Sequence, residues 1–256
     1  MTQLWTTTAD WLDQRSSLET RSIGFVPTMG ALHRGHTSLV ERCRGENEIV
    51  VVSIFVNPTQ FNDPKDLDRY PRTLECDLAL LRDLGVDHVI APPASDLYPG
   101  GYRFRVEPAG EAPLMEAAHR PGFLTGVLTV VLKLLGLVRP ARAYFGEKDY
   151  QQLKAVTDMA RDFFLPVEIV PCATVREPSG LAESSRNRLL PAGARARAHL
   201  LYRALIASGS PAEACATLQS EGFQVDYVEE HWGRRFAAAH LGGVRLIDNV
   251  PLAEKG

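Results

Sequence analysis

His33 and His36, held apart by Arg34 and Gly35, follow directly on a short apolar run from Ile23 to Val26. That run reads as a strand stopped by Pro27, and Ser38, Leu39 and Val40 read as a following helix. The histidines therefore fall where a strand ends and a helix begins. There, outward-pointing N–H groups and the helix dipole favour anions, and imidazoles can donate to phosphate oxygens. Gly30 lets the backbone turn, and Gly35 leaves room for a nucleotide to lie against it. A motif this short is also met as two surface histidines in a turn.

Three further clusters have chemistry to offer. Gly146, Lys148, Asp149 and Gln152 repeat the strand-to-helix logic. Lys148 supplies a point charge for phosphate, Asp149 an acceptor for ribose hydroxyls, and Gln152 faces the same crevice one turn into the helix. The plain alternative is a capping Asp among solvated charges. Ser184 and Ser185 beside Arg186 suit a loop that closes on phosphates, or else form an ordinary surface loop. Asn57 and Gln60 carry neutral amides that can donate to a carboxylate or accept from a hydroxyl, although Asn57-Pro58 is also common turn chemistry.

The elements that must position these groups alternate strand and helix as far as residue 170. Glu48 to Val56 is nearly continuous and rich in β-branched residues, as in a strand buried on both faces. Thr8–Ser17 (capped by Thr8), Arg72–Leu84 and Leu124–Val138 read as helices, and the stripe of Val127, Val130, Val131, Leu134, Leu135 and Val138 is core. Asp87–Ile90, Ala143–Phe145 and Val167–Val170 read as strands. This pattern predicts an α/β fold, a Rossmann-like parallel sheet with helices on both faces. From Pro191 the sequence turns Ala- and Arg-rich and helical to about Ala207, with Pro211–Glu221 a further helix and Val225–Glu229 and Val244–Asp248 strands. Two domains are expected: 1–189, Rossmann-like and carrying the strand-end clusters, and 190–256 as a small α+β cap.

The 256 residues, 45% hydrophobic and 23% charged with a net charge of −3, suit a globular protein and point to neither a nucleic-acid nor a membrane partner. No apolar run approaches the ~18 residues of a membrane span, and the first residues do not read as a signal peptide. Cys43, Cys76, Cys172 and Cys215 are scattered, which fits reduced thiols in the cytoplasm rather than a zinc site.

Neither a Walker P-loop nor a Gly-x-Gly-x-x-Gly fingerprint is present. The junctions would have to hold phosphates themselves. Together they fit an adenylate-forming site, with a carboxylate attacking the α-phosphate of ATP and pyrophosphate leaving. That chemistry needs cations and donors more than a protein base. Mg²⁺ is expected on the phosphates, held mainly by the nucleotide.

Five segments carry a resemblance: Pro27–His36, Phe55–Phe61, Arg69–Thr73, Tyr144–Gln152 and Ser184–Asn187, with Arg245–Asn249 near the end. In this order they resemble the pantothenate synthetase (pantoate–β-alanine ligase) family of the His-x-Gly-His nucleotidyltransferases. The resemblance implies that ATP and D-pantoate form pantoyl adenylate and pyrophosphate, after which the amine of β-alanine attacks the acyl carbon to give pantothenate and AMP. It implies that His33 and His36 contact the ATP phosphates and that Met29 and Gly35 line the nucleotide site. Gly146, Lys148 and Asp149 would serve ATP, with Ser184, Ser185 and Arg186 closing on it. Asn57, Gln60 and Gln152 would hold pantoate, and Asp77 would lie in the magnesium region. A cytoplasmic homodimer is implied as well.

There are departures. Phe123 stands where the family has histidine, which removes any polar role there. Glu183 replaces a methionine beside the paired serines and would weaken nucleotide binding unless it faces solvent or pairs with an arginine. The segment between Tyr227 and Arg235 is short, which bears on β-alanine access and loop closure. Phe123 and Glu183 leave room for a diverged ligase using another 2-hydroxy acid or amine. A non-catalytic ligand-binding relative is a further alternative, as is a simple nucleotidyltransferase.

Overall fold

Strands β1 (Gln3–Trp5), β2 (Ile23–Thr28), β3 (Ile49–Ile54), β4 (His88–Ile90), β5 (Arg142–Gly146) and β6 (Glu168–Cys172) pair throughout in parallel, in the order β1-β4-β3-β2-β5-β6. The computed structural model describes residues 2–109 and 114–252. Residues 1, 110–113 and 253–256 of the two expected domains lie outside the described residues. The chain divides into two compact units. One runs to Gly146 and includes Gln151–Cys172; the other comprises Glu147–Tyr150 and the chain from Ala173.

In the first unit, Val26, Val50, Val52 and Val89 bury one face of the sheet against Leu39, Val40 and Cys43 of the helix Arg34–Glu46 and Leu78 and Leu81 of the helix Leu74–Asp83. Ile23, Phe25 and Val51, at the alternate positions, are buried on the other side. The helix Phe123–Val138 packs against β2 and against the helix Thr8–Ser16. Trp11 and Arg15 of the latter donate to the carbonyls of Leu137, Val138 and Arg139, satisfying the end of the long helix. The expected α/β class and parallel sheet are thus what the chain forms.

Several details differ from the expectation. β2 does not stop at Pro27 but continues to Thr28, with Pro27 opposite Ser53. On its other side β2 pairs with β5 only at Gly24 and Phe25, so a missing N–H is accommodated where that edge is already unpaired. The helix begins at Arg34, before the apolar run, and so takes in His36, and Thr7 rather than Thr8 caps the first helix, accepting from the Asp10 amide at 3.1 Å. The helical stretch after Pro191 is two helices, Ala192–Arg197 and Leu200–Ala207. Besides Glu147–Tyr150, the second unit takes the chain from Ala173 on, where the expectation places the boundary at 189/190. Leu181 and Leu190 belong to its core with Leu201, Leu218, Phe223 and Leu246, and Arg176 pairs with Asp248.

That unit carries the antiparallel sheet β7 (Gln224–His231), β8 (Arg234–Leu241) and β9 (Val244–Pro251). β8 is the central strand, and the sequence reading passed over it: Arg234–Leu241 has three alanines and no β-branched residue. The short segment after Tyr227 is explained by a two-residue turn. Trp232 and Gly233, at φ 50° and 68°, join β7 to β8, and Gly242 and Gly243, at 58° and 78°, join β8 to β9. Positive φ at both central positions is the hairpin turn whose twist matches the strands.

His88 on β4 is buried, and its Nδ1 accepts from Trp5 Nε1 at 3.3 Å. Burial holds its pKa below the ordinary histidine value, with Asp87 opposing weakly. The unfolded chain therefore takes up a proton that the folded chain refuses. Stability is full above about pH 6.5 and falls as pH drops from there to the lower folded pKa, by at most ~1.4 kcal/mol per pH unit. Denaturant titrations between pH 7.5 and 5.5 should show this slope in the wild type and its loss in His88→Phe.

Candidate functional site

The His-x-Gly-His segment is built by hydrogen bonds that the loop cannot make within itself. Thr28 Oγ1 donates to Ser53 O (2.7 Å) and accepts from the Gly30 amide (3.1 Å). Gly30 and Ala31 then take left-handed backbones, φ 79° and 51°. A Cβ at Gly30 would lie 3.0 Å from Asp77 Oδ2 and 3.1 Å from Ile54 Cγ2, so glycine is needed both for its φ and for space. The Ala31 and Leu32 amides donate to the two oxygens of the Asp77 carboxylate, each at 2.9 Å, and Thr73 Oγ1 donates to Oδ2 at 3.0 Å.

His33 is the N-cap of the helix Arg34–Glu46, its Nδ1 accepting from the Gly35 amide at 3.1 Å. An acceptor at Nδ1 leaves the ring proton on Nε2, so the capping form of His33 is the neutral tautomer with its N–H at Nε2. The His36 ring lies beside it, centroids 4.1 Å apart, in the first helical turn. Two imidazoles at a helix start form a donor surface suited to phosphate.

In the same unit, Asn57 follows β3 and is buried. Its Nδ2 donates to Gln60 Oε1 (3.0 Å) and Gly126 O (3.1 Å). Its Oδ1 accepts from Tyr98 Oη (2.8 Å) and from Thr59 Oγ1 and N. With its amide spent on protein groups, Asn57 orients Gln60. Gln60 Oε1 is thereby occupied, and Gln60 Nε2 donates toward Met29 Sδ at 3.1 Å. The structure thus joins Met29, Asn57 and Gln60. Gln152, half-buried in the helix Tyr150–Asp162, belongs to the same unit as they do.

Tyr98, Gly126 and Arg120 were passed over in the sequence. A Cβ at Gly126 would lie 2.4 Å from Thr59 O, so the helix can meet the turn Pro58–Gln60 only through a glycine. A glycine within the first turn of a mainly apolar helix is the available signal. Arg120 donates to Gln60 O (3.2 Å) and Glu116 Oε2 (3.3 Å), and its guanidinium lies 3.8 Å from the centre of the Phe123 ring. Phe123, buried, thus serves as the apolar and π partner of Arg120.

The second unit holds the other cations. Lys148 lies in the turn Glu147–Asp149, its Nζ 3.8 Å from Asp149 Oδ1, two residues past Gly146 at the end of β5. Ser184 caps the turn Ser185–Leu189, its Oγ accepting from the Arg186 amide at 3.3 Å, and Ser185 is buried. This segment is pinned at its root: Arg176 donates to Gly180 O (3.1 Å) and to both oxygens of Asp248 (2.6 and 2.8 Å), and Asn187 Nδ2 donates to Ala182 O (3.0 Å). Glu183 is partly exposed, and its amide donates to Val175 O.

Asp77 does not fit a metal ligand. It is buried, and both its oxygens are engaged by backbone amides of the histidine loop. Among the described residues, no group of three or more His, Cys, Asp or Glu side chains is placed to hold a metal ion.

A parallel sheet whose second strand leads into a His-x-Gly-His helix start, with amides after the third strand, defines an enzyme of the nucleotide-activating ligase class. A family model described as pantoate-beta-alanine ligase matches residues 3–251. Pantothenate synthetase of Bdellovibrio bacteriovorus is 52% identical over 90% of this chain and 92% of its own length. That of Coxiella burnetii is 48% identical over 99% and 98%. The crystal structure of a Francisella tularensis pantoate-beta-alanine ligase, complexed with beta-gamma ATP and beta-alanine, superposes with a TM-score of 0.94 at 42% identity and covers 98% of each chain. The chain belongs to the pantoate-beta-alanine ligase family. Its activity is that family's ATP-dependent ligation of pantoate with β-alanine.

Proposed function

We propose that the residues described above divide the two half-reactions between them. In the first, a carboxylate oxygen of D-pantoate attacks the α-phosphorus of ATP, the α–β bond breaks and pyrophosphate leaves. His33 Nε2–H, His36, Lys148 and Arg186 stabilise the charge that moves onto the phosphates. Met29 and Gly35 line the nucleotide site with Gly146, Asp149 takes the ribose hydroxyls, and Ser184 and Ser185 close with Arg186. Gln60 and Gln152 hold the hydroxyls and carboxylate of pantoate, and Asn57 acts on pantoate through Gln60. In the second half-reaction the amine of β-alanine attacks the acyl carbon, AMP leaves and the nitrogen gives up a proton. The observation that carries this reading is the placement of His33 as the N-cap of the helix with the His36 ring beside it, two imidazoles at one helix start.

Any magnesium comes on the nucleotide phosphates, since Asp77 is spent on the loop. The four cysteines are scattered along the sequence with no Cys-x-x-Cys pair, which supports a reducing compartment such as the cytoplasm. Among the described residues no helix is long and apolar enough to cross a membrane. A homodimer rests on the family resemblance, and sedimentation equilibrium tests it. The alternative of a different acid or amine is not favoured, because the match to pantothenate synthetases runs through nearly the whole chain.

ATP–pyrophosphate exchange with D-pantoate and no amine, followed by addition of β-alanine, tests the whole scheme. Exchange followed by amide product is the expected result; exchange with another acid but none with pantoate would sink it. Gln60→Ala should raise the KM for pantoate about 10- to 100-fold, the scale of one hydrogen bond to a charged group, with little change in kcat. An unaltered KM would remove Gln60 from the acid site.

A further inference from the structure

Asn249, on β9 in the second unit, is 1% exposed, and its amide is fully used. Nδ2 donates to the carbonyl oxygens of Glu147 and Lys148, each at 2.9 Å. Oδ1 accepts from Arg234 Nε at 2.6 Å. The orientation of the amide follows from chemistry: a guanidinium only donates and a peptide carbonyl only accepts, so a flipped amide would set like against like at all three contacts. Arg234 grips the same segment at both ends. Its Nη1 is 3.5 Å from Glu147 Oε2, and its guanidinium lies 4.6 Å from the centre of the Tyr150 ring. The four residues that carry Lys148 are therefore held by two side chains of the antiparallel sheet.

This arrangement has a consequence for a lysine. An ammonium on a four-carbon stem is a mobile point charge, and aiming it costs side-chain entropy. Fixing the two carbonyls on either side of the Lys148 amide and Cα fixes the direction in which its stem leaves the backbone. The residue before Asn249, Asp248, takes Arg176 in a two-pronged pair, and Arg176 also donates to Asn249 O at 3.2 Å. The end of one strand thus anchors the turn of Lys148 and the root of the segment leading to Ser184, Ser185 and Arg186.

We propose that Asn249 is a positioning residue for the adenylation half-reaction: by fixing the Glu147 and Lys148 carbonyls it aims the Lys148 ammonium at the departing phosphates. This rests on the assignment of Lys148 to the phosphates of ATP. The test uses Asn249→Asp, which keeps volume and the Arg234 contact but turns the two donors into an acceptor. Asn249→Ser, which loses the reach to both carbonyls without burying a charge, is run alongside and read by the same criteria. Each is measured in pantoate-dependent ATP–pyrophosphate exchange, and in amide formation from supplied pantoyl adenylate and β-alanine.

The expected result is a drop in exchange kcat of about 10- to 100-fold, the cost of a misaimed group, with amide formation from the adenylate held within about threefold. In a Lys148→Ala background the Asn249 change should add less than about twofold, because both act through one ammonium. Equal slowing of both half-reactions, or losses that multiply in the double variant, would overturn the proposal in favour of a purely structural pin. Impaired exchange in Lys148→Ala with normal exchange in both Asn249 variants would overturn this inference alone. Full exchange in Lys148→Ala would overturn the Lys148 assignment and the inference with it.

Discussion

Lys148→Ala should lower pantoate-dependent ATP–pyrophosphate exchange at least ~100-fold, the scale of removing one donor to charge that develops in the transition state. Two negative groups, a carboxylate and a triphosphate, must approach, and pyrophosphate must leave with more charge than it carried. The chain answers this without a P-loop, so the burden falls on a few named side chains. Lys148 is 19% exposed in its side chain and pairs with the partly exposed Asp149 carboxylate 3.8 Å away. An ion pair this long, to a carboxylate 45% exposed, is worth little to the fold, so it does not hold the ammonium against a more highly charged ligand. The loss should therefore appear in kcat for exchange while thermal stability stays near wild type. His36→Ala should show a loss of similar scale through the other half of the donor set. Unchanged pyrophosphate release in either variant would take that residue out of the role given to it.

The second large effect is expected at Asp77. Asp77→Ala removes the acceptor of two backbone amides and one hydroxyl inside the protein. The Ala31 and Leu32 N–H groups would be stranded beside a left-handed backbone that they help to hold. A loss of about 3–5 kcal/mol in unfolding free energy is expected, the range for breaking a buried network around a charge. Exchange activity should fall with it, because the displaced segment carries His33 and His36. Asp77→Asn separates this role from that of a metal ligand, since the amide keeps one acceptor and should keep part of the stability. If Asp77 served magnesium, raising the magnesium concentration should restore Asp77→Asn activity; if it serves the loop, the defect should not respond. Restoration by magnesium with unchanged stability would return Asp77 to the metal.

Much of this was open to reading in the chain itself. The nearly continuous β-branched run of Ile49 to Ile54 reads as a strand buried on both faces by its length and residue types, and Val127 to Val138 as a helix by its period, because both signals are local. The histidines and Lys148 point to phosphate chemistry because each follows a strand, where helix starts and turns present donors to anions. What escaped was whatever depends on partners distant in sequence. β8 lacks β-branched residues and is a strand because β7 and β9 pair with it on both sides. Asn57 and Asp77 looked like ligand-binding groups, since an amide or carboxylate has the same chemistry wherever it points. The fold decided that Asn57 spends its amide on Gln60, Gly126 and Tyr98, and Asp77 its carboxylate on the histidine loop. Phe123 read as a loss until the guanidinium of Arg120 was found against its ring. The sequence by itself thus determined the parallel sheet, the family and the kind of groups available for phosphate. Only the tertiary structure decided which polar side chains are spent on the protein's own groups, because hydrogen bonds are allotted by proximity in space and the chain order does not encode it residue by residue.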